Sequence, residues 1–408
     1  MEAYDLYQQA MTIVHKGVSQ VTLVKALPLF ERVVEIDPGH AKAWVQICRI
    51  NAVAYWREDR SAGRLANMRR ALTQAERNDP DDCDVLGAGA TVAGVLGDRV
   101  AVQGYRQKII ELYPSRPEAY QVLAQIAFDQ ERWSDSLAAS EQARALDPLN
   151  VSVLSNLENL LLTVRRYHQA EEEERAIVAL DPGNYDAALR LACAPFLETG
   201  STRELEALLG RLPADLEAKD PSIRNIRLEI MIMLGDGDGL IRLWRESAGD
   251  IKFFRNYSRR NARMLVAAAY LARKEVDEAR PLLTQNRDEA NQEIATNPES
   301  AAAYNDLGLA LSMLGQESEG RAALARAHEL EERTPSIFIR WQNVINRAWS
   351  GEKPAAIAGL REILRSPQMA RLGTNVYRLR VAFLTLPLHG DPDFEAMLKE
   401  PANNAPLF

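Results

Sequence analysis

Apolar residues along this chain recur at three- and four-residue steps and almost never alternate, which is the period of an amphipathic helix and not of a strand. Residues 117–150 show the plan. Ala119, Tyr120, Leu123, Ala124, Ile126 and Ala127 make one apolar face, and a polar break, Asp129-Gln130-Glu131-Arg132, follows. Trp133, Leu137, Ala138, Ala143 and Leu146 make a second face, ended by Asp147-Pro148. Residues 151–184 repeat it. Leu154, Leu157, Leu160 and Leu161 line a first helix there, and Tyr167, Ala170, Ile177 and Leu180 line a second. The small residues Ala124, Ala170, Gly308 and Gly320 stand where two helices must cross closely.

Prolines punctuate these pairs. Pro38, Pro80, Pro114, Pro148, Pro182, Pro298 and Pro335 each follow an apolar helical run, at intervals of 42, 34, 34, 34, 116 and 37 residues. Proline suits a junction because it has no amide proton and cannot continue a helix. The first long interval carries eight extra residues near 57–63. The 116-residue gap has room for three degenerate units and an insertion. Within it, Pro195 falls inside an expected first helix and Pro213 and Pro221 follow, which predicts shortened helices and changed curvature over 185–250. Val266, Ala267, Tyr270, Ala279 and Leu283 restore the pattern, with a second helix running on through Glu293. Trp341, Ala356, Leu360 and Ile363 mark a further unit. A closing pair is expected near 376–386 and 392–399, because the end of an open stack exposes an apolar face.

The residues Tyr304, Leu307, Gly308, Leu311, Gly320, Leu324 and Ala327 resemble the signature of the tetratricopeptide repeat. So do Tyr120, Leu123, Ala124, Ala127, Ala143 and Pro148, the half-unit Ala26, Phe30, Val33 and Pro38, and Trp44 with Ile47. The resemblance implies an all-α, right-handed superhelical solenoid of about ten helix-turn-helix units with a C-terminal cap. It would run as one body over 1–408, with regular repeats at 1–184, a degenerate and hinge-like stretch at 185–259, and further repeats with the cap at 260–408. The opening Ala3-Tyr4-Asp5-Leu6-Tyr7 and the closing Gly390-Asp391-Pro392-Asp393-Phe394-Glu395-Ala396-Met397-Leu398 also look like the edges of the repeat module of bacterial signalling proteins, where it follows cyclase, kinase or winged-helix domains.

Composition narrows the function classes. The chain has 408 residues, with apolar residues at 47%, ordinary for a folded protein and too many for a disordered one. Lys plus Arg number 49 against 57 Asp plus Glu, a net charge of −8 that argues against a nucleic-acid partner. The longest purely apolar stretch, Met264 to Ala272, is far short of a bilayer span. Residues Met1 to Asp5 show no secretory pattern. Cys48, Cys83 and Cys193 are too scattered for a disulfide framework or a zinc site and suit a reducing compartment, so a cytoplasmic location is expected, and the signalling resemblance implies a bacterial one.

Chemistry-bearing constellations are few. His15, His40, His168, His328 and His389 are isolated from one another, and no catalytic, metal or cofactor motif is present. The stretch Leu234-Gly235-Asp236-Gly237-Asp238-Gly239 lacks the downstream glutamate of a calcium loop and the lysine of a phosphate loop, so it reads as a turn. Glu171 to Glu174 reads as a solvated acidic helix start, or as an acidic docking patch. Lys252, Arg255, Arg259, Arg260 and Arg263, interleaved with Phe253, Phe254 and Tyr257, form the main basic cluster, suited to an anionic ligand or single-stranded nucleic acid.

The family resemblance directs attention to the concave groove. It implies that Glu118, Gln121, Gln125 and Phe128, then Ser152, Ser155, Asn159 and Leu162, then Ala302, Asn305, Leu309 and Ser312 face it. One branch of the family holds a peptide's terminal carboxylate with two lysines, two asparagines and an arginine. Asn156 and Arg190 fall on two of those positions here, whereas Gln121, Gln125 and Asp186 replace the other three. The lost lysines remove most of the charge attraction, so the groove suits an extended peptide gripped by side-chain amides. The expected function is therefore a non-enzymatic scaffold, without cofactor or metal, that binds a peptide or protein. The alternatives are a regulatory sensor module acting on a signalling enzyme or transcription factor, and nucleic-acid binding through 252–263.

Overall fold

The computed structural model describes residues 2–15, 20–57, 62–213, 221–247, 259–333, 337–367 and 374–407. Among these the chain is α-helical, without a strand, and folds as tetratricopeptide-type helix pairs. The pairs are α1 (Glu2–His15) with α2 (Gln20–Ile36), α3 (Ala41–Arg57) with α4 (Ala62–Asn78), and α5 (Cys83–Val95) with α6 (Arg99–Leu112). Next come α7 (Pro117–Asp129) with α8 (Trp133–Leu146), α9 (Val151–Thr163) with α10 (Tyr167–Leu180), and α11 (Tyr185–Thr199) with α12 (Arg203–Arg211). Then follow α13 (Pro221–Leu234) with α14 (Gly237–Glu246), α15 (Arg259–Ala272) with α16 (Val276–Thr296), α17 (Ala301–Met313) with α18 (Glu317–Arg333), and α19 (Ile337–Trp349) with α20 (Lys353–Leu364). The chain closes with α21 (Val376–Val381), a 3-10 turn at Phe383–Leu388, α22 (Pro392–Lys399) and a second 3-10 turn at Pro401–Asn403.

The turn inside eight of these pairs is built the same way. One residue is left-handed: Gly97, Glu131, Arg165, Gly200, Gly235, Lys274, Gly315 or Gly351. In seven of them the next amide reaches back five residues, as in Arg132 N–H to Ala127 C=O and Asp236 N–H to Met231 C=O, at 2.8–3.0 Å. This is the bond that satisfies an orphan carbonyl at a helix end. The eight extra residues of the second unit lengthen both helices, so α3 and α4 are each 17 residues long. As expected, α12 and α14 are short, at 9 and 10 residues, and α16 is long, at 21. Gly308 and Gly320 meet closely, since a Cβ on Gly308 would stand 3.1 Å from the Gly320 carbonyl.

Two expectations are corrected. Pro195 does not break its helix, because α11 runs through it to Thr199. It stands within the last turns of α11, so the one amide it removes leaves few bonds beyond it to disturb. In the closing pair, 392–399 is the expected helix, α22, but 376–386 is not one helix: only Val376–Val381 is α-helical there, and Phe383–Leu388, with Pro387 inside, winds as a 3-10 turn.

The chain divides into two compact units. The first holds 1–160, 172–188 and 214–222, and the second 161–171, 189–213 and 223–408. In the first, Ala26, Phe30, Ala43, Ile47, Met68, Ala75, Val85 and Val92 join α2 to α5 in one buried cluster. Cys83, Leu86, Ile109 and Ala119 continue it to α7. In the second, α15 is buried on every side from Ala262 to Tyr270, among α13, α14, α16, α17 and the 3-10 turn. Each fully buried leucine or isoleucine in these clusters contributes roughly 1.5–3 kcal/mol.

The second unit also closes on itself. The Asn375 amide donates to the Leu197 carbonyl at 2.7 Å, Asn404 to the Glu198 carbonyl at 3.2 Å, and the Leu407 amide to the Val164 carbonyl at 3.1 Å. Arg165, only 2% exposed, donates to the Asn403 carbonyl at 2.7 Å and also to the Leu364 carbonyl. Burial pushes its guanidinium below the usual arginine range. Gly200 and Gly235 serve twice here, as left-handed turn residues and as seats. A Cβ on Gly200 would stand 2.6 Å from the Tyr377 ring, and one on Gly235 3.2 Å from Val381. The C-terminal segment thus lies against the turns of three helix pairs.

Candidate functional site

The first helices of the pairs carry the candidate residues, and the two units present them differently. In the first unit, Gln125, Asn156 and Asn159 are exposed, and Glu118, Gln121, Phe128 and Ser155 are half-buried. Gln125 donates to Asp129 at 2.7 Å, and Asn159 to the Ser155 carbonyl at 2.6 Å, so both amides are held in one orientation while open to solvent. Glu118 lies 3.4 Å from Arg116. Phe128 packs edge-on against Trp133, with ring centres 5.1 Å apart, and forms an apolar wall at the end of α7. Ser152 is exposed and follows Asn150, whose side chain caps α9 by accepting from the Ser152 amide at 3.0 Å.

The same face runs toward the N-terminus through residues that the sequence reading passed over. Arg49 of α3 pairs with Asp84 of α5 at 2.8 Å, both close to half exposed. Beside them Gly87 leaves open space, its nearest neighbour being the Arg49 guanidinium at 3.9 Å. The hydroxyl of Tyr7 on α1 is raised above the usual tyrosine range, first by burial and then by Asp84. Its ring lies against those of His40 and Phe30. Arg49 is the ninth residue of α3 and Asp84 the second of α5, the places that Gln125 and Glu118 hold on α7.

In the second unit the corresponding face is filled. Asn305 is buried and donates to the Ala301 carbonyl, and Asn346 bonds both its main-chain and side-chain oxygens at 3.0 and 3.2 Å. Ser312 and Ser350 join at 2.8 Å, and Gln342 reaches Asp306 at 3.3 Å. The expectation that Asn305 lines an open groove is therefore corrected. Buried amides must be paired, and α17 and α19 pair them with each other. Arg190 lies half-buried on α11, in the second unit.

The basic cluster also changes character. Lys252 and Arg255 lie outside the described residues, as do the side chains of Arg259 and Arg260. Arg263 is withdrawn from the anion-binding set. It is buried, and both its terminal nitrogens are bonded to Glu289, one at 2.9 Å. A buried guanidinium needs such a partner. Glu289 in turn borders an open cleft of about 550 Å³ along α16, lined also by Thr284, Gln285, Asp288 and Gln292. Within the acidic run, Glu173 is bonded to Arg144 at 2.8 Å and Glu174 is buried. The run is thus partly committed to packing and is not a uniformly solvated patch.

Burial pushes the Cys48 thiol up to about 12 and the Cys83 thiol up to about 11, far from an activated nucleophile. Among the described residues no group of three or more His, Cys, Asp or Glu is placed to hold a metal. No described helix is long and apolar enough to cross a membrane. Of the Leu234–Gly239 stretch only Gly235 and Asp236 form the turn; Gly237 opens α14, which Asp236 caps by accepting from the Gly239 amide at 2.8 Å.

No family model matches the chain, and no curated protein matches it. Solved structures similar to it include a monomeric mutant of IFIT1 with Gppp-AAAA, at 15% identity and a TM-score of 0.44, covering 80% of this chain and 71% of that one. The human IFIT1 dimer with m7Gppp-AAAA aligns at 16% identity and a TM-score of 0.41, covering 76% and 68%. YrrB, a TPR protein with an unusual peptide-binding site, aligns at 14% and 0.27, covering 44% and 89%. The fold is assigned from this chain's own helix pairs.

Proposed function

We propose that this protein is a non-enzymatic binding scaffold that takes an extended peptide segment of a protein partner along the first-helix face of its first unit. One observation carries the reading. Gln125, Asn156 and Asn159 stay exposed on α7 and α9, whereas Asp306 and Leu309, which hold the same sixth and ninth places on α17, are buried in the second unit. Side-chain amides both donate and accept, which matches the main chain of an extended peptide and needs no particular peptide charge. Phe128 supplies the apolar wall, and the Arg49–Asp84 pair marks the far end of the same face.

The test is selection of random displayed peptides on the full chain, followed by calorimetric titration of the winners. Asn156→Ala with Asn159→Ala should weaken binding about tenfold or more, since each amide then leaves a peptide group unpaired. Failure to select any peptide, or affinity indifferent to both changes, would sink the reading.

A second reading is that the chain regulates a signalling enzyme or transcription factor in the bacterial cytoplasm. The motive is the resemblance of the closing Gly390–Leu398 stretch to the edge of that signalling module, and the stretch is a built element. Asp391 caps α22 by accepting from the Asp393 and Phe394 amides, and His389 stacks on Phe394. Co-purification with a cyclase, kinase or DNA-binding protein from the native cell is the check, and its absence counts against regulation.

A further inference from the structure

Large aliphatic side chains are left exposed at one repeat position of the first unit. Leu112, Leu146 and Leu180 are the last residues of α6, α8 and α10, spaced 34 apart, and they are 49%, 48% and 42% exposed. Leu149, in the turn after α8, and Val151, the first residue of α9, add 71% and 40%. The exposed Pro114, Pro148 and Pro182 follow the three leucines at the same spacing. Single exposed leucines are ordinary, but an apolar row repeated over three neighbouring pairs marks an interaction surface.

The charged residues next to the three leucines in sequence are acidic. Glu111, Asp147 and Asp181 flank the leucines. The row stands at helix C-termini, where the helix dipole adds negative potential. The nearby cations are occupied, Lys108 by Asp81 at 3.6 Å, Arg144 by Glu173 at 2.8 Å, and Arg116 by Glu118 at 3.4 Å. The Arg144–Glu173 pair also fixes α8 beside α10.

We propose that this row docks a cationic amphipathic helix of a protein partner. Neighbouring packed helices stand roughly 8–10 Å apart. A partner helix laid across them advances about 1.5 Å per residue, so the leucines meet it about every five to seven residues, and a seven-residue repeat keeps its anchors on one face. Lysines or arginines on either side of that apolar line meet Glu111, Asp147 and Asp181. The surface is separate from the amide-lined face proposed for peptide binding.

The experiment is fluorescence anisotropy of the full chain with a labelled synthetic helix bearing leucine at every seventh position between lysines. The control helix replaces each lysine by glutamate. Binding of the lysine helix is expected, weakening with added salt, and at least about tenfold weaker for Leu146→Ser with Leu149→Ser. Leu149→Glu is a second variant, at a site so exposed that the fold tolerates it. Asn156→Ala with Asn159→Ala should leave this binding unchanged, so the two surfaces are read separately. Four results would overturn the proposal. They are no binding of the lysine helix, equal binding of the glutamate helix, indifference to both leucine variants, and self-association of the wild type that the leucine variants abolish, which would make the row a contact between copies.

Discussion

In the first unit, Tyr105 reaches Glu76 across 29 residues of sequence and Tyr113 reaches the Asp81 carbonyl across 32. In the second, Asn375 reaches Leu197 across 178 and Arg165 reaches Asn403 across 238. The helix pairs are of one kind, yet the first unit is stitched between neighbours and the second is tied end to end. A stack held only by neighbours gains stability one interface at a time and can open one interface at a time. A closed unit must break its long-range contacts together. Closing a long loop adds little entropy beyond closing a short one, so such closure is within reach of a few good contacts. The lesson is a division of labour, in which the neighbour-stitched unit keeps its first-helix face open and the closed unit fills it.

The contrast can be broken most sharply at Arg165. Arg165→Ala removes two hydrogen bonds from a charged donor and strands two carbonyls, a loss of about 3 kcal/mol. Hydrogen exchange should then rise throughout α15 and the Phe383–Leu388 turn. Loss confined to the α9–α10 turn would mean that the unit is not cooperative. Arg165→Lys should rescue only in part, because a point charge does not reproduce the guanidinium fork. The matching test in the first unit is Gly89→Ala. Its Cβ would stand 2.4 Å from the Tyr105 ring and displace the bond to Glu76, at a cost of about 2 kcal/mol. Exchange should rise only across α4 to α7, and a spread beyond them would erase the difference.

The cysteines give a finer reading, because Cys48 and Cys83 lie in the first unit and Cys193 in the second. With pKa values near 12 and 11, the first two carry almost no thiolate at pH 8 in the folded state and should resist thiol reagents until the first unit unfolds. These values exceed the unfolded value of about 8.5. The stability that they report is therefore complete below that pH and declines as pH rises toward the folded values. Titration with denaturant and reagent should show Cys193 reacting at a different midpoint from the other two, whereas a shared midpoint would show one cooperative body. The smallest effect is expected at Glu400. The hydrogen bond from Arg361, with Arg365 adding its charge, holds this carboxyl below the usual glutamate range. A depressed folded value means that the tie is present above the unfolded pKa and lost as pH falls through the folded one. Exchange at the end of α22 should quicken below about pH 4, and Glu400→Gln should remove that dependence.

The helix pairs were legible because periodicity and proline spacing are local signals. Ala124, Ala170, Gly308 and Gly320 pack where their size predicted. The closure was not legible. Its acceptors are main-chain carbonyls of Leu197, Glu198, Leu364 and Asn403, and a carbonyl leaves no mark in the residue type. Asn305 was misread for the same reason, since a polar residue at a groove position is exposed only while nothing fills the groove. Arg263 looked like a free cation because its partner Glu289 is 26 residues away on another helix. Arg49 and Asp84 were missed because the face was read only from α7 onward. Of the candidate face, the amides on α7 and α9 were visible from repeat position, and its N-terminal end was not.

The left-handed turn residue recurs as a standard joint, and most of these joints use glycine. Three do not, and they differ from one another. Glu131 and Lys274 are exposed, so glycine there would relax a conformation that disfavours side chains by about 1–2 kcal/mol. Arg165 is the one of the three that is buried. For a protein engineer the joints are therefore not interchangeable parts. A graft or deletion that cuts at Glu131 respects the architecture, whereas one that replaces the joint at Arg165 unfastens the far end of the chain.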